Sequence, residues 1–180
     1  MSDPFHDLGA LHAHVWDRLA QGAAEAGDPF HVAMLATSGA EGPEARMVGF
    51  RRAERGTAEV EVQSDIRTAK VRATERDPRA ALLFWDPEAQ VQIRLSIEMR
   101  LVASDPERWR ALPDAARLNY GTDPAPGTPV HTPEAVTRTS DPARHVALVG
   151  SVCRIDALSL AHDPHRRAIF EAGAARWVAP

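Results

Sequence analysis

A chain of 180 residues, 44 % hydrophobic and 26 % charged, holds enough apolar mass for one folded domain and is too apolar for a disordered segment. Its formal net charge of −4 argues against a general nucleic-acid binder, which needs a basic field, and its longest apolar runs are too short to cross a bilayer. One cysteine, Cys153, excludes an internal disulfide and a cysteine-built zinc site, and MSDPFHDLGALHAH lacks the basic-then-apolar order of a secretion signal, so the expected compartment is the cytoplasm.

Asp3-Pro4 reads as a helix cap followed by a first-turn proline, and Leu8, Leu11, Val15 and Leu19 recur at helical spacing. Gly27-Asp28-Pro29 closes the segment, which predicts a helix over about 4–26. The period then changes to two. FHVAMLATS (30–38), ARMVGFRR (45–52) and AEVEV (58–62) read as strands separated by turns. The apolar alternation gives out after Val62, and a short helix over 68–76 must stop at Asp77-Pro78 because the residue before proline is pushed out of helical geometry.

RAALLFWD (79–86) is the next strand, and VQIRLSIEMRLVA (91–103) is the clearest. There Val91, Ile93, Leu95, Ile97, Met99 and Leu101 alternate with Gln92, Arg94, Ser96, Glu98 and Arg100, placing the two sets on opposite faces. Residues 105–120 read as two short helices, and 121–142, rich in Pro, Gly and Thr, as a long loop of the kind often functional in compact domains. HVALVGSVCRIDAL (145–158) is another strand, with Cys153 expected as a small core residue, and 166–180 is a closing hairpin around Gly173. With no internal repeat and no linker, the fold class is mostly β (α+β). A single domain is expected, an antiparallel meander closing into a barrel with flanking helices.

Two stretches carry chemistry. Arg46, Val48 and Phe50 share one strand face, so a barrel-mouth Arg46 would need an anion there. SDIRTAK (64–70) puts Ser64, Arg67, Thr68 and Lys70 at a strand-to-helix corner, where free backbone N–H groups favour phosphate. His162, Asp163 and His165 read better as a turn than as a metal site, and no metal is expected. GxSxG, P-loop and GxGxxG motifs are missing from the sequence, which leaves serine-hydrolase and Rossmann readings without a foothold.

In order and spacing, RMVGF (46–50), SDIRTAK (64–70), DPRAALLFW (77–85), QIRL (92–95) and HRRAIF (165–170) with Trp177 resemble the FMN-binding split barrels similar to pyridoxamine-phosphate oxidase. The resemblance runs over nearly the whole chain from about residue 30 and implies an FMN-binding split β-barrel, a homodimer with the flavin between chains, and oxidoreduction of a small molecule. It implies that Arg46 and Lys70 hold the FMN phosphate with Ser64 and Thr68. Arg67 would stand in for a family arginine whose place is Ala69. Met47, Val48 and Gly49 would line the ring, Gln63 would flank it, and Gln92 and Arg167 would contact it. His165 and Arg51 are the candidates on the substrate side. The residues that hold a substrate phosphate in the vitamin oxidase are not reproduced in ERWRALPDAAR (107–117), and Asp163 replaces an arginine. A side branch with another substrate is therefore expected; a deazaflavin-dependent reductase or a non-catalytic flavin or tetrapyrrole binder is the alternative.

Overall fold

The computed structural model describes residues 3–180. Asp3 accepts a hydrogen bond from the Phe5 amide at 2.9 Å and caps a 3₁₀ turn over Pro4–His6. The backbone then extends at Asp7, whose carboxylate accepts from Ala10 N at 2.8 Å and starts helix α1, Leu8–Ala24. The helix expected over 4–26 is thus split in two, because tandem aspartate caps force an extended residue between them.

Strands β1 (Val32–Gly39), β2 (Gly42–Glu54) and β3 (Glu59–Asp65) form a meander that leads into helix α2 (Ala69–Arg76). Strands β4 (Arg79–Asp86) and β5 (Val91–Ala103) follow, then helices α3 (Pro106–Ala111) and α4 (Asp114–Arg117). Within 121–142, β6 (Thr122–Asp123) pairs with β7 (Thr137–Arg138). The chain ends in β8 (His145–Ser159), β9 (Arg166–Glu171) and β10 (Ala174–Val178). The order β8-β3-β2-β1-β4-β5 closes through β5–β8 pairing into an antiparallel barrel, and β9 and β10 extend the sheet from β8. At the last hairpin, Ala172 and Gly173 both have positive φ, the geometry a two-residue turn needs to match strand twist.

The barrel buries Leu35, Phe50, Phe84, Leu95 and Leu148, each side chain contributing about 1.5–3 kcal/mol of transfer free energy. Phe84 meets Phe50 edge-on at 4.8 Å and Phe30 at 5.3 Å, and α1 adds Leu11, Val15 and Leu19 to the same core.

Two sequence expectations change. Strand β3 does not stop at Val62: Gln63, Ser64 and Asp65 pair with Ala147, Val146 and His145, so β8 sustains the ladder after the apolar alternation has ended. Cys153 is exposed, not in the core. Opposite β5, Ser96 faces Arg154 and Ile97 faces Val152, which leaves Cys153 as the extra residue of a β-bulge that turns it outward.

The outer face of β1, β2 and β4 is apolar. Met34 lies between Met47 and Leu83 in register, flanked by Val32 and Trp85, and Met47 is 61 % exposed. The neighbouring outer face of β5 is polar, carrying Gln92, Arg94 and Ser96.

Candidate functional site

The corner between β3 and α2 is built by its own hydroxyls. Thr68 Oγ1 donates to Asp65 O at 2.9 Å and lies 2.9 Å from Ser64 Oγ, while Lys70 Nζ donates to Ser64 Oγ at 3.1 Å. Lys70 has no carboxylate within ion-pair distance among the described residues. Burial, and then the nearby Arg46 charge, press its ammonium below the ordinary lysine range, with Asp65 opposing. A half-buried cation beside two hydroxyls has the donor chemistry that an anion needs.

The corner lines a groove of about 520 Å³. One wall is Met47, Val48 and Gly49 of β2 with Gln63 and Ser64 of β3. The other is Asn119, Tyr120 and the loop residues Thr122, Pro124–Thr128 and Val136. Loop 121–142 is tied down here: Arg67 Nη2 donates to Thr122 O at 2.8 Å, and Asp141 N to Tyr120 O at 2.9 Å. Gly121, at φ +133°, is required, since a Cβ there would collide with Thr139 O. Tyr120 packs edge-on against His145 at 5.0 Å, and burial raises the phenol and lowers the imidazole.

The structure thus brings Met47, Val48, Gly49, Gln63, Ser64, Thr68 and Lys70 together in one groove. Arg46 stands beside it, donating to Thr37 Oγ1 at 2.7 Å and to Glu44 Oε2 at 2.5 Å. Arg67 is turned away. It makes a two-pronged pair with Asp65, at 2.9 and 2.7 Å, that fastens the loop. Gln92 lies on the outer face of β5, and Arg167 pairs with Asp156 at 2.9 and 2.8 Å, sharing it with Arg94. Their side chains lie outside this groove within one chain. His165 lines a separate hollow with Arg167 and Trp177.

Along the groove β2 carries a bulge. Phe50 pairs with Val62 and Arg52 with Glu61, so Arg51 is the extra residue. Its guanidinium folds back over Gly49, where any Cβ would collide with it. Arg51 also lines a second cavity of about 790 Å³, shared with His31, Gln63, Arg108 and Leu112. Arg138 and Arg144 line neither; the first donates to Asn119 Oδ1 at 2.7 Å and the second pairs with Asp141 at 3.4 Å.

Both ring nitrogens of His162 have partners within the chain. Its Nδ1 meets Ser159 Oγ at 2.8 Å and its Nε2 meets Asp3 Oδ2 at 2.7 Å. Ser159 is 1 % exposed, so this serine–histidine–aspartate array is a strut from the N-terminal turn to the end of β8 and has no room for a substrate. Among the described residues no three His, Cys, Asp or Glu groups are placed to hold a metal ion, and no helix is long and apolar enough to cross a membrane.

The family model of the pyridoxamine 5'-phosphate oxidase FMN-binding domain matches residues 13–103, half of the chain and every strand of the barrel except β8. The chain belongs to this family. It is 25 % identical to a pyridoxamine 5'-phosphate oxidase-related, FMN-binding protein of Nostoc punctiforme, with TM-score 0.76 and 100 % of both chains covered. The same fold recurs in PhzG of Burkholderia lata, solved in complex with tetrahydrophenazine-1-carboxylic acid: 16 % identity, TM-score 0.75, 100 % of this chain and 98 % of that one. It recurs again in a protein related to general stress protein 26 from Clostridium acetobutylicum, at 12 % identity and TM-score 0.58, covering 90 % and 93 %. No curated protein matches the chain.

Asn119 and Tyr120 line the groove without having been singled out by the sequence, and His31 lines the second cavity. Asn119-Tyr120-Gly121, placed where two short helices end and the long loop begins, was the available signal for the first two. His31 had none, because it meets Arg51, 3.3 Å away, across twenty positions of the chain.

Proposed function

We propose that the protein is an FMN-dependent oxidoreductase that works on a small molecule as a homodimer. The observation that carries this reading is Lys70: a half-buried ammonium held by Ser64, beside Thr68, with no carboxylate partner among the described residues, lining the groove between β2, β3 and the long loop. Lys70, Ser64 and Thr68 would take the FMN phosphate. Arg46 would join them by giving up the half-exposed Glu44, an exchange of one charge-assisted bond for another. The backbone of Met47–Gly49 would run along the ring. Bound there, FMN supplies the hydride chemistry, and the chain holds and orients it.

Dimerisation is supported by the apolar outer face of β1, β2 and β4, since monomers rarely leave such a patch in water. Met47 belongs to both that face and the groove, so a second copy seated on the face would wall the groove in. Gln92 and Arg167, which one chain keeps outside its own groove, would then serve the partner's. The test is to purify the protein, record its visible absorption spectrum, identify the bound molecule by mass, and titrate NADPH and other donors without oxygen. Bound FMN that a donor reduces supports the proposal. A protein that neither carries nor takes up FMN contradicts it, and one that binds FMN but is reduced by no donor is a binder and not an enzyme.

A further inference from the structure

Among the described residues, the 790 Å³ cavity carries one arginine without a carboxylate partner, Arg51, and a histidine holds it in place. Arg51 Nη1 donates to Phe50 O at 3.0 Å and faces His31 Nε2 at 3.3 Å. His31 Nδ1 lies 3.0 Å from Gly22 O, so Nδ1 carries the proton and Nε2 accepts from Arg51. The relay needs close packing at its root: a Cβ on Gly22 would collide with Phe30, the residue before His31.

Both protons of Arg51 Nη1 are thereby engaged, while Nε–H and the Nη2 protons meet no partner among the described residues. Those two nitrogens form one planar edge, the fork that matches the two oxygens of a carboxylate. The other arginines of the 790 Å³ cavity are neutralised. Arg108 donates to Glu61 at 2.9 Å and also pairs with Asp105, and Arg52 faces Glu59 at 3.2 Å and Glu61 at 3.8 Å. A single fork beside a buried glutamate suits a monoanion. A phosphate dianion needs further cations that this wall does not offer.

We propose that His31 is a positioning residue that sets Arg51 as a carboxylate clamp, so that the substrate class is a small organic acid. This rests on the flavoprotein reading above for the catalytic use of the site, not for its acid binding. The protein loaded with FMN is titrated by calorimetry with 1-naphthoate, 1-naphthamide and 1-naphthyl phosphate, for the wild type and for His31→Phe, His31→Gln and Arg51→Ala. The wild type should bind the acid roughly tenfold or more tighter than the amide, and no more weakly than the phosphate. His31→Phe should erase that preference, as Arg51→Ala does, while affinities for the amide and for FMN change by less than about twofold. His31→Gln offers an acceptor to Arg51 and a donor to Gly22, and should restore most of the preference.

Equal binding of acid and amide by the wild type overturns the proposal, as does a preference for the phosphate. A preference that survives in His31→Phe overturns it too, and so does an equal loss of FMN affinity in that variant, which would mark His31 as merely structural. If the protein takes up no FMN, the flavoprotein reading fails by itself. The acid-to-amide ratio of the flavin-free protein then still decides the clamp.

Discussion

Among single residues, Lys70 and Arg67 show how far side-chain chemistry reads from sequence. Lys70 follows a strand and opens a helix beside two hydroxyls, all local facts, and the structure places it on the groove. Arg67 lies three residues away with the same charge, yet Asp65, two positions before it and buried, captures it. The capture is an i, i+2 contact, but Asp65 is itself held in place by pairing with His145, eighty positions on, which the local sequence does not show. The energetic roles differ accordingly. Lys70→Ala should weaken FMN binding by about 1.5–3 kcal/mol, and Arg46→Ala by about 1 kcal/mol, because Arg46 already donates to Glu44 and Thr37. Fluorescence titration with FMN gives both values, and a loss at Arg46 exceeding that at Lys70 would reverse the assignment. Bound phosphate should also draw the Lys70 ammonium back up, so FMN affinity should fall as pH rises through the lowered lysine value of the free protein. Riboflavin affinity should not follow.

A second residue-scale expectation concerns the substrate. The cavity wall offers Leu112 and Ala116 where a phosphate cluster would be needed, and its Arg108 is neutralised by Glu61 and Asp105. Turnover of pyridoxamine phosphate by the FMN-loaded protein should fall at least about a hundredfold short of a dedicated oxidase, two missing charge-assisted contacts at roughly 1.4 kcal/mol per factor of ten. Steady-state kinetics at comparable rates would show that other groups supply the contacts.

The elements were legible where one period held and illegible where two strands went out of step. The alternation over 91–103 gives β5 residue for residue. The bulges at Arg51 and Cys153 are properties of strand pairs, so no single-strand period reveals them, and each re-aims a polar side chain. The extension of β3 to Asp65 is of the same kind. Carboxylates on β3 and β8, Asp65 and Asp156, carry an expected acid response. Hydrogen bonds from Arg167, with Arg94 adding to them, hold the Asp156 carboxyl below its ordinary 3.8; Asp65, which burial alone would raise, is brought below that value by Arg67. A carboxyl depressed in the folded state stabilises fully above its unfolded value, and that contribution drains away as pH falls through the folded value. The share of the melting temperature owed to these two groups should therefore be constant at neutral pH and drain away only below about 3.8. Asp156→Asn should cost about 1–2 kcal/mol at neutral pH, because two partly solvated guanidiniums lose their partner, and should flatten the acid limb. A variant with an unchanged acid limb would remove Asp156 from this role.

For the whole molecule, the sequence conveyed the barrel through strand spacing and turn residues, but not which outer surface is apolar, since Val32, Met34, Met47, Leu83 and Trp85 come from three strands whose register decides their adjacency. Met34→Glu places a charge at the centre of that patch, facing Met47 and Leu83, and should shift the proposed dimer to monomer and weaken FMN binding together. Sedimentation velocity on the wild type and the variant at micromolar concentration reads this, and a wild type that stays monomeric with FMN present would remove the dimer. The decisive comparison is between FMN and riboflavin, which share the ring and differ in the phosphate. Calorimetric titration of the flavin-free wild type should give FMN a roughly tenfold or greater advantage, lost in Lys70→Ala. Equal affinity for the two flavins would mean that Lys70, Ser64 and Thr68 hold no phosphate and that the groove serves something else.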